Sequence, residues 1–289
     1  MKILICGASG FVGRHLTRAL RDQGHSVVRA VRSPSEANDI AVDFCLDTHA
    51  DVWLPRLANI DVVINAVGVL RDSAKNPMSA LLADTPVALF DACAKAKVQR
   101  VIQLSALGVE SGIDVPYFRH RLTAEAALHH LPAAIKTLCL RPSVIYGADG
   151  TSAQMFRTMA KLPVQMLPMG GVQSLQPVHI IDVCAAVQNW LNDANASSLS
   201  VDVVGSEPTT MRDMLDSYRA QLGHRSALHI ALPQPLVKVI ARLGDFIPSA
   251  PLCSDTYAML AAGNTASALG FSQLLGRTPQ SFQHFIRPA

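Results

Sequence analysis

The sequence predicts an α/β fold, a doubly wound parallel sheet followed by a smaller, mostly helical C-terminal lobe. Up to about residue 150, short apolar runs of strand length alternate with amphipathic stretches of helical period. Such alternation is typical of parallel strands joined by right-handed helical crossovers. Beyond that point the alternation loosens, and prolines divide the chain into short helical pieces.

The first 24 residues predict a strand, a glycine-rich turn and a helix. An apolar run at 2–6 is followed by glycines at 7, 10 and 13, and apolar residues then recur every four positions until Gly24. Glycines at this spacing allow a tight turn, close approach of a pyrophosphate and close helix–strand packing. A plain strand–turn–helix is the alternative, but the context favours a dinucleotide site. Its predicted residues are Gly7, Ser9, Gly10, Phe11, Val12, Gly13 and Arg14.

The end of the second predicted strand bears on the choice of dinucleotide. Residues 26–31 form an apolar run that ends at Arg32, and no carboxylate follows before Glu36. An acidic residue at this position binds the ribose 2′-hydroxyl of NAD, whereas arginine accommodates the 2′-phosphate of NADP. Arg14 is a second cation that could reach the same phosphate. Two solvated surface arginines are the alternative; we favour NADP(H) over NAD(H).

The remaining predicted strands place further residues on one rim. Runs at 40–44, 61–68, 100–105 and 137–140 are apolar and of strand length. Ligands of doubly wound sheets bind beyond the carboxyl ends of the strands. We therefore expect one rim to gather Gly7, Arg32, Asp43, Gly68, Ser105 and Pro142. Asp43 and Phe44 lie where related folds contact the adenine.

Composition narrows the class of protein. The 289 residues are 49% hydrophobic and 16% charged, which indicates a globular chain, and the net charge of +3 is too small to indicate nucleic acid or an anionic membrane. Six cysteines lack any C-x-x-C pair and suit buried thiols in a reducing compartment. Neither a signal peptide, a transmembrane segment nor metal-ligand spacing is recognisable, so we expect a cytoplasmic protein without a metal site.

Several motifs occur in a familiar order between residue 1 and about residue 223. After the glycine turn come Asn65-Ala66-Val67-Gly68, Ser105, a helix with Tyr117, Arg141-Pro142-x-x-x-Tyr146-Gly147 and Pro177-Val178-His179-x-x-Asp182. Together they resemble the extended or atypical short-chain dehydrogenase/reductases (SDRs) of the NAD-dependent epimerase/dehydratase superfamily, which have a Rossmann fold. The resemblance is greatest to the branch that contains the SDR-like accessory subunit of respiratory complex I.

This resemblance implies roles for particular residues. In catalytic members a tyrosine is the general acid/base, a serine holds the substrate oxygen, and a lysine lies four residues after the tyrosine. Tyr117 and Ser105 match the first two roles, and Arg121 stands at the lysine position. Arginine keeps the charge but is longer and planar. The resemblance also assigns cofactor contacts to Ala66, Val67, Gly68, Ser105, Tyr117, Arg121, Pro142 and Val144.

Alternatives stay open at these positions. Tyr117 and Arg121 could be an exposed helical pair, and Ser105 an ordinary residue at a strand end. His179 is expected to be a buried structural histidine rather than a catalytic one.

The predicted organisation is a dinucleotide-binding domain at 1–150, to which 172–204 returns, and a lobe at 151–171 and 205–289 for substrate or partner. Two functions are compatible with it. One is an NADPH-linked reductase of a small carbonyl compound; the other is a non-catalytic NADP(H)-binding accessory, assembly or redox-sensing protein. The substrate is undetermined, and either a protein partner or a homo-oligomer is compatible with the sequence.

Overall fold

The computed structural model describes residues 1–247 and 250–286. The strands are β1 (Lys2–Cys6), β2 (Ser26–Val31), β3 (Asp39–Ala41), β4 (Val62–Asn65), β5 (Arg100–Leu104), β6 (Lys136–Pro142), β7 (Ile145–Tyr146), β8 (Val164–Pro168), β9 (Ser174–Leu175), β10 (Val178–His179), β11 (Leu199–Val203), β12 (Thr209–Thr210) and β13 (Leu228–Leu232). The α-helices are α1 (Phe11–Asp22), α2 (Ala50–Trp53), α3 (Thr85–Ala96), α4 (Pro116–His129), α5 (Thr151–Lys161), α6 (Ile180–Asn192), α7 (Met211–Gln221), α8 (Gln234–Asp245), α9 (Ser254–Ala262) and α10 (Leu269–Leu275).

Seven strands form the main sheet, in the order β11-β6-β5-β4-β1-β2-β3. Every neighbouring pair from β3 to β6 is parallel. The chain adds strands first on one side of β1 and then on the other, so the direction of winding reverses beside β1. The predicted doubly wound sheet with a helical C-terminal region is confirmed, and the crevice at such a reversal is where ligands of these folds bind.

The central strands are buried because helices cover both faces of a parallel sheet. Ile3, Leu4 and Ile5 of β1 are fully buried, as are all four residues of β4. Helix α1 buries one face through Gly13, Leu16, Thr17 and Leu20. The apolar runs of the sequence are therefore the interior of this sheet.

The third strand is shorter than predicted. It ends at Ala41 instead of Phe44, because the backbone turns at Asp43. The Asp43 N–H donates to Asp47 Oδ2 at 2.9 Å, and Asp43 Oδ1 accepts from the Cys45 N–H at 2.9 Å. Phe44 then enters the core, with its ring centroid 6.0 Å from that of Trp53.

The chain divides into two compact units. The first comprises Met1–Arg141 and Val187–Val201, and the second Pro142–Ala186 and Asp202–Ala289, of which 248–249 and 287–289 lie outside the described residues. These limits differ from the predicted ones, 150 and 172–204. The predicted assignment of a dinucleotide domain and a substrate lobe stays a prediction.

The second unit has its own core. Tyr146, Phe156, Met214 and Tyr218 pack there with Phe285, and the Tyr146 and Phe285 ring centroids are 4.9 Å apart. Its described residues also form three two-stranded sheets, of which β8–β13 and β7–β10 are parallel and β9–β12 is antiparallel.

All six cysteines are free thiols. Five are buried, and Cys45 is partly buried. Burial raises the pKa of the Cys139 and Cys184 thiols to about 12, because a thiolate is poorly solvated in an apolar interior. The sequence-based interpretation of buried thiols fits this arrangement.

Within 1–247 and 250–286, none of the helices has the length and apolar character needed to cross a bilayer. The same residues contain no group of three or more histidine, cysteine or acidic side chains placed to bind a metal ion.

Candidate functional site

The three glycines of the turn after β1 differ in how closely other atoms surround them. Gly7 has φ +75°, and a Cβ there would lie 3.0 Å from the Ala66 backbone. A Cβ on Gly13 would lie 2.2 Å from the Gly7 carbonyl oxygen. At Gly10, apart from the two flanking residues, the Gly7 oxygen at 3.2 Å is the only described atom within 4 Å of such a Cβ. Gly7 and Gly13 are thus required for packing, whereas the outer side of Gly10 is open to a ligand.

Helix α1 begins directly at this turn. Gly10 caps it without a side-chain hydrogen bond, so N–H groups of the first turn, at Phe11, Val12 and Gly13, lack partners within the helix. Its N-terminus carries partial positive charge and suits an anion. Ser9 is exposed, and its carbonyl accepts from Arg14 Nη1 at 2.8 Å.

The tip of β2 carries an exposed cation. Arg32 follows the last strand residue, and its Nη1 donates to Asn76 Oδ1 at 3.2 Å. Glu36, the first carboxylate after the strand, is already paired with Arg21 and Arg29, each at 2.6 Å. Arg29 also forms two hydrogen bonds to Asp39, at 2.7 and 2.6 Å. The carboxylates near this tip are therefore held by arginines.

A pocket of about 270 Å³ lies in the same unit. It is cationic overall, since its lining contains four arginines and two carboxylates. The lining residues are Ala8, Arg14, Thr17, Arg18, Arg21, Asp22, Arg29 and Glu36. Sequence reasoning selected only Arg14 of these arginines. The spacing of Arg14, Arg18 and Arg21 along α1 could have revealed Arg18 and Arg21, because i, i+4 and i+7 share one helical face.

The turn after β4 is held by side-chain hydrogen bonds. Asn65 Oδ1 accepts from the Val67 N–H at 3.2 Å, and Asn65 Nδ2 donates to Gln103 Oε1 at 2.8 Å. The Ala66 N–H donates to the Cys6 carbonyl at 3.0 Å. These bonds hold Ala66, Val67 and Gly68 beside the glycine turn, at the carboxyl ends of β1 and β4.

Ser105, Tyr117 and Arg121 approach the same rim. Ser105 follows β5 and is buried, and its Oγ has no partner among the described residues. Arg121 is 4% exposed, and its Nη1 donates to the carbonyls of Leu104 at 2.6 Å and Val67 at 3.2 Å. Its Cζ lies 5.4 Å from the centroid of the Tyr117 ring. The guanidinium therefore lies over the ring face, a cation–π arrangement.

Arg121 retains unused hydrogen-bonding capacity. Its Nε is buried and, in the part of the chain that the structure describes, lacks a partner. Its Nη2 approaches Gly68 so closely that a Cβ there would lie 3.1 Å away. A buried cation with an unmet donor is costly unless a ligand supplies the acceptor.

In the next turn of α4, the Glu125 carboxylate is fully hydrogen-bonded. Glu125 is 2% exposed, and both its oxygens accept from Arg141 Nε at 3.1 Å, while Arg141 Nη2 also reaches Glu125 and Glu110. Hydrogen bonding from Arg141 lowers the pKa of the Glu110 carboxyl. Arg141, part of the Arg141-Pro142 motif, is therefore a structural residue of the first unit.

The other predicted positions lie as follows. The Asp43 carboxylate is exposed, whereas the Phe44 side chain belongs to the core. Pro142 is the last residue of β6, and Val144 packs on the core of the second unit.

His179 lies in the second unit and is only partly buried. Its ring contacts those of Tyr146 and Phe285, and its Nδ1 accepts from the Ile181 N–H at 3.2 Å. The fully buried Asp182 accepts hydrogen bonds from Arg277 and from the Gln280 N–H. These contacts give the His179-x-x-Asp182 pattern a packing role within that unit.

The profile of the NAD dependent epimerase/dehydratase family matches residues 3–201. The chain belongs to this family. The match includes the glycine turn and the three residues that approach the rim, and it confirms the resemblance seen in the sequence. The NAD dependent epimerase/dehydratase family binds NAD(P), so nicotinamide dinucleotides are the class of ligand that proteins of this family bind.

Relatives of this family member include complex I subunits and a reductase. The chain is 21% identical over 247 residues to the NADH-ubiquinone oxidoreductase 40 kDa subunit of Neurospora crassa, and 26% identical over 259 residues to the NADH dehydrogenase 1 alpha subcomplex subunit 9 of Arabidopsis thaliana. These matches take in 82% and 84% of the chain but less than two thirds of the relatives, 64% and 63%. A 3-diazoavenalumate denitrifying reductase from Streptomyces is 29% identical, with 77% of the chain and 82% of the relative covered.

Solved structures of other proteins share the fold. The human epimerase family protein SDR39U1 (isoform 2) with NADPH has a TM-score of 0.74 at 20% identity, covering 99% of the chain and 98% of that structure. MoeE5 with UDP-glucuronic acid and NAD has a TM-score of 0.73 at 20% identity, covering 99% and 96%. Both dinucleotides thus occur on this fold.

Proposed function

We propose that the protein is an NADPH-linked reductase of a small carbonyl compound. The observation that supports this most is the group formed by Ser105, Tyr117 and Arg121, which approach one rim of the first unit. Two buried polar atoms in this group, Ser105 Oγ and Arg121 Nε, lack partners among the described residues. Because buried polar atoms are normally hydrogen-bonded, these two favour a polar ligand at the rim.

The residues around the glycine turn fit a dinucleotide. The open side of Gly10 would admit a pyrophosphate, and the N–H groups that begin α1 would donate to it. Arg32 and Arg14 are the proposed partners of the 2′-phosphate, and the exposed Arg18 of the nearby pocket adds positive charge. The proposed contacts of Pro142 and Val144 rest on the family resemblance alone.

The chemistry assigned to the chain is proton transfer. NADPH, when bound, supplies the hydride that reduces a carbonyl carbon. In this proposal the Tyr117 hydroxyl donates its proton to the carbonyl oxygen, and solvent returns a proton to the phenolate afterwards. Ser105 Oγ–H holds the same oxygen by a hydrogen bond. Arg121 stabilises the developing phenolate through its charge and is the proposed donor to the nicotinamide ribose.

One observation favours the second candidate, a non-catalytic NADP(H)-binding accessory, assembly or redox-sensing protein. Arg121 Nη1 donates to two backbone carbonyls, and the guanidinium lies over the Tyr117 ring. This arrangement supports ring packing and ligand binding more directly than activation of the hydroxyl. The complex I subunits among the relatives make a protein partner reasonable for this candidate. For either candidate we propose a cytoplasmic location, which the free thiols favour.

Three variants distinguish the two functions. If the protein is a reductase, Tyr117→Phe should lower NADPH oxidation about 100-fold to 10,000-fold without loss of NADPH binding, because a general acid contributes that much. Arg121→Lys should keep activity, and Arg121→Met should lose it. The assay measures NADPH oxidation with aldehydes, ketones and quinones, beside a fluorescence titration of NADPH. A wild type and an Arg121→Lys variant that bind NADPH but reduce nothing would favour the binding protein.

A further inference from the structure

Helix α8 exposes an apolar stripe. The helix buries one narrow face through Val237, Ala241 and Gly244. On another side it exposes apolar residues at helical spacing that continue past its last turn: Leu236, Val239, Ile240, Leu243, Phe246 and Ile247. Phe246 is 85% exposed, the largest value among the exposed large hydrophobic residues that the structure describes. We call these six residues the α8 stripe.

The α8 stripe is narrow and continuous. At 3.6 residues per turn, the four positions within the helix (236, 239, 240 and 243) fall within an arc of roughly 100° around its axis, and Phe246 and Ile247 follow the last turn. Single exposed apolar side chains are ordinary on soluble proteins, but a contiguous apolar surface marks an interaction site. Val237, Ala241 and Gly244 pack the helix onto the unit, whereas the α8 stripe leaves a large part of its apolar surface to solvent.

Positive charge borders the α8 stripe. The exposed Arg242 lies about 60° around the helix axis from Val239, and the exposed Lys238, one turn earlier, lies about 100° from Val239. The one acidic residue of the helix, Asp245, accepts hydrogen bonds from the Ser254 N–H at 2.8 Å and the Ser254 hydroxyl at 2.6 Å. The carboxylate is thereby engaged at the start of α9, while Arg242 faces solvent at the edge of the apolar surface and Lys238 faces solvent beyond it.

We propose that α8 binds the surface of an anionic bilayer as an interfacial helix. An apolar stripe of this width inserts into the headgroup–acyl boundary, and flanking lysine and arginine side chains contact anionic headgroups. The net charge of the whole chain gave no sign of this, because the cations that matter are local. A second copy of the chain docked on the stripe would bring further cations to the same border, whereas anionic lipid neutralises them.

Vesicle flotation tests the proposal with the full chain. The wild type should bind vesicles of phosphatidylcholine with phosphatidylglycerol, bind pure phosphatidylcholine far less, and lose binding as salt is raised. The double variant Leu243→Ser/Phe246→Ser should bind roughly tenfold or more weakly, because two inserted apolar side chains are lost. Lys238→Gln/Arg242→Gln should lose the preference for anionic vesicles.

Matched controls keep the test specific. Leu269→Ser removes a leucine that is 66% exposed, against 61% for Leu243, and should bind vesicles like the wild type. Phe246→Trp should show a blue-shifted emission on binding, since the native Trp53 and Trp190 are already buried, at 0% and 2% exposed. Leu46→Trp, at a position 73% exposed, should not shift. Thermal unfolding should be unchanged in the serine variants, because the altered side chains are exposed.

Three outcomes would overturn the proposal. The first is a wild type that does not bind anionic vesicles. The second is equal binding by Leu243→Ser/Phe246→Ser and wild type. The third is a dimer, seen by sedimentation, that Leu243→Ser/Phe246→Ser abolishes while no vesicle binding occurs, which would assign the α8 stripe to a second copy of the chain. None of these outcomes depends on NADPH turnover, so they leave the proposed function unaffected.

Discussion

Two successive turns of α4 use the same helical face in opposite ways. Residues 117, 121 and 125 are spaced by four and lie on one side of the helix. At Glu125 both polar atoms of the side chain are hydrogen-bonded, because Arg141 donates to both carboxylate oxygens. At Arg121 the hydrogen bonding is incomplete. The guanidinium donates only to backbone carbonyl oxygens, and its Nε has no partner within the described chain.

This difference in hydrogen bonding distinguishes residues that stabilise the fold from residues with groups available to bind a ligand. A buried ion pair with complete hydrogen bonding is costly to break, since the remaining charge is then buried without a partner. A buried cation with an unmet donor already carries part of that cost in the free protein. Ligand binding would relieve it, so Arg121 should matter more for affinity than for stability.

The strongest test of this contrast compares one variant from each turn. Glu125→Gln should lower the free energy of unfolding by roughly 3 kcal/mol, the lower end of the usual range for a broken buried pair, because Arg141 keeps Glu110. Arg121→Met should cost less stability but weaken NADPH binding. Chemical denaturation and fluorescence titration measure the two quantities. The contrast is wrong if Arg121→Met is the more destabilising variant and binds NADPH normally.

The glycine turn offers a second, smaller form of the same contrast. Gly13→Ala should destabilise the protein by about 1–3 kcal/mol or more, because its Cβ would lie 2.2 Å from a carbonyl oxygen. Gly10→Ala meets only a 3.2 Å contact and should change stability little, yet weaken NADPH binding roughly tenfold by obstructing the pyrophosphate. The same two measurements apply. Wild-type NADPH affinity in Gly10→Ala would place the phosphates elsewhere.

The smallest expected effect concerns the choice between dinucleotides. Arg32→Ala should weaken NADPH binding roughly tenfold and leave NADH binding unchanged, because one charge-assisted hydrogen bond to the 2′-phosphate is lost. Arg29→Ala is the matched control. Arg29 is already engaged by Asp39 and Glu36, so its loss should lower stability without altering the NADPH-to-NADH ratio. Equal affinity of the wild type for both dinucleotides would remove the 2′-phosphate role of Arg32.

The sequence was most informative where function depends on local backbone. Gly7 and Gly13 have the conformation or close packing that their spacing predicted. The rim was also predictable, because the carboxyl ends of parallel strands meet at one edge and the chain order of the strands was readable from the apolar runs. The roles of the rim residues stay predictions.

The sequence was least informative where distant side chains pair. Glu125 and Arg141 are 16 residues apart, and Asn65 and Gln103 are 38 apart. Each pairing depends on how a helix or strand packs, which no local pattern encodes. The end of β3 at Ala41 was missed for a related reason, since the Asp43–Asp47 hydrogen bond competes there with strand pairing. The α8 stripe was overlooked because an apolar helical pattern alone does not tell which face is covered.

The six free thiols have a practical consequence, because the rates at which they are alkylated report the rates of local unfolding. Cys6, Cys93 and Cys139 are buried in the first unit, and Cys184 and Cys253 in the second. A buried thiol with a raised pKa reacts only when its surroundings open. Mass spectrometry of timed alkylation would therefore give each unit its own opening rate. Cys45, partly buried, would react first and serve as the internal reference.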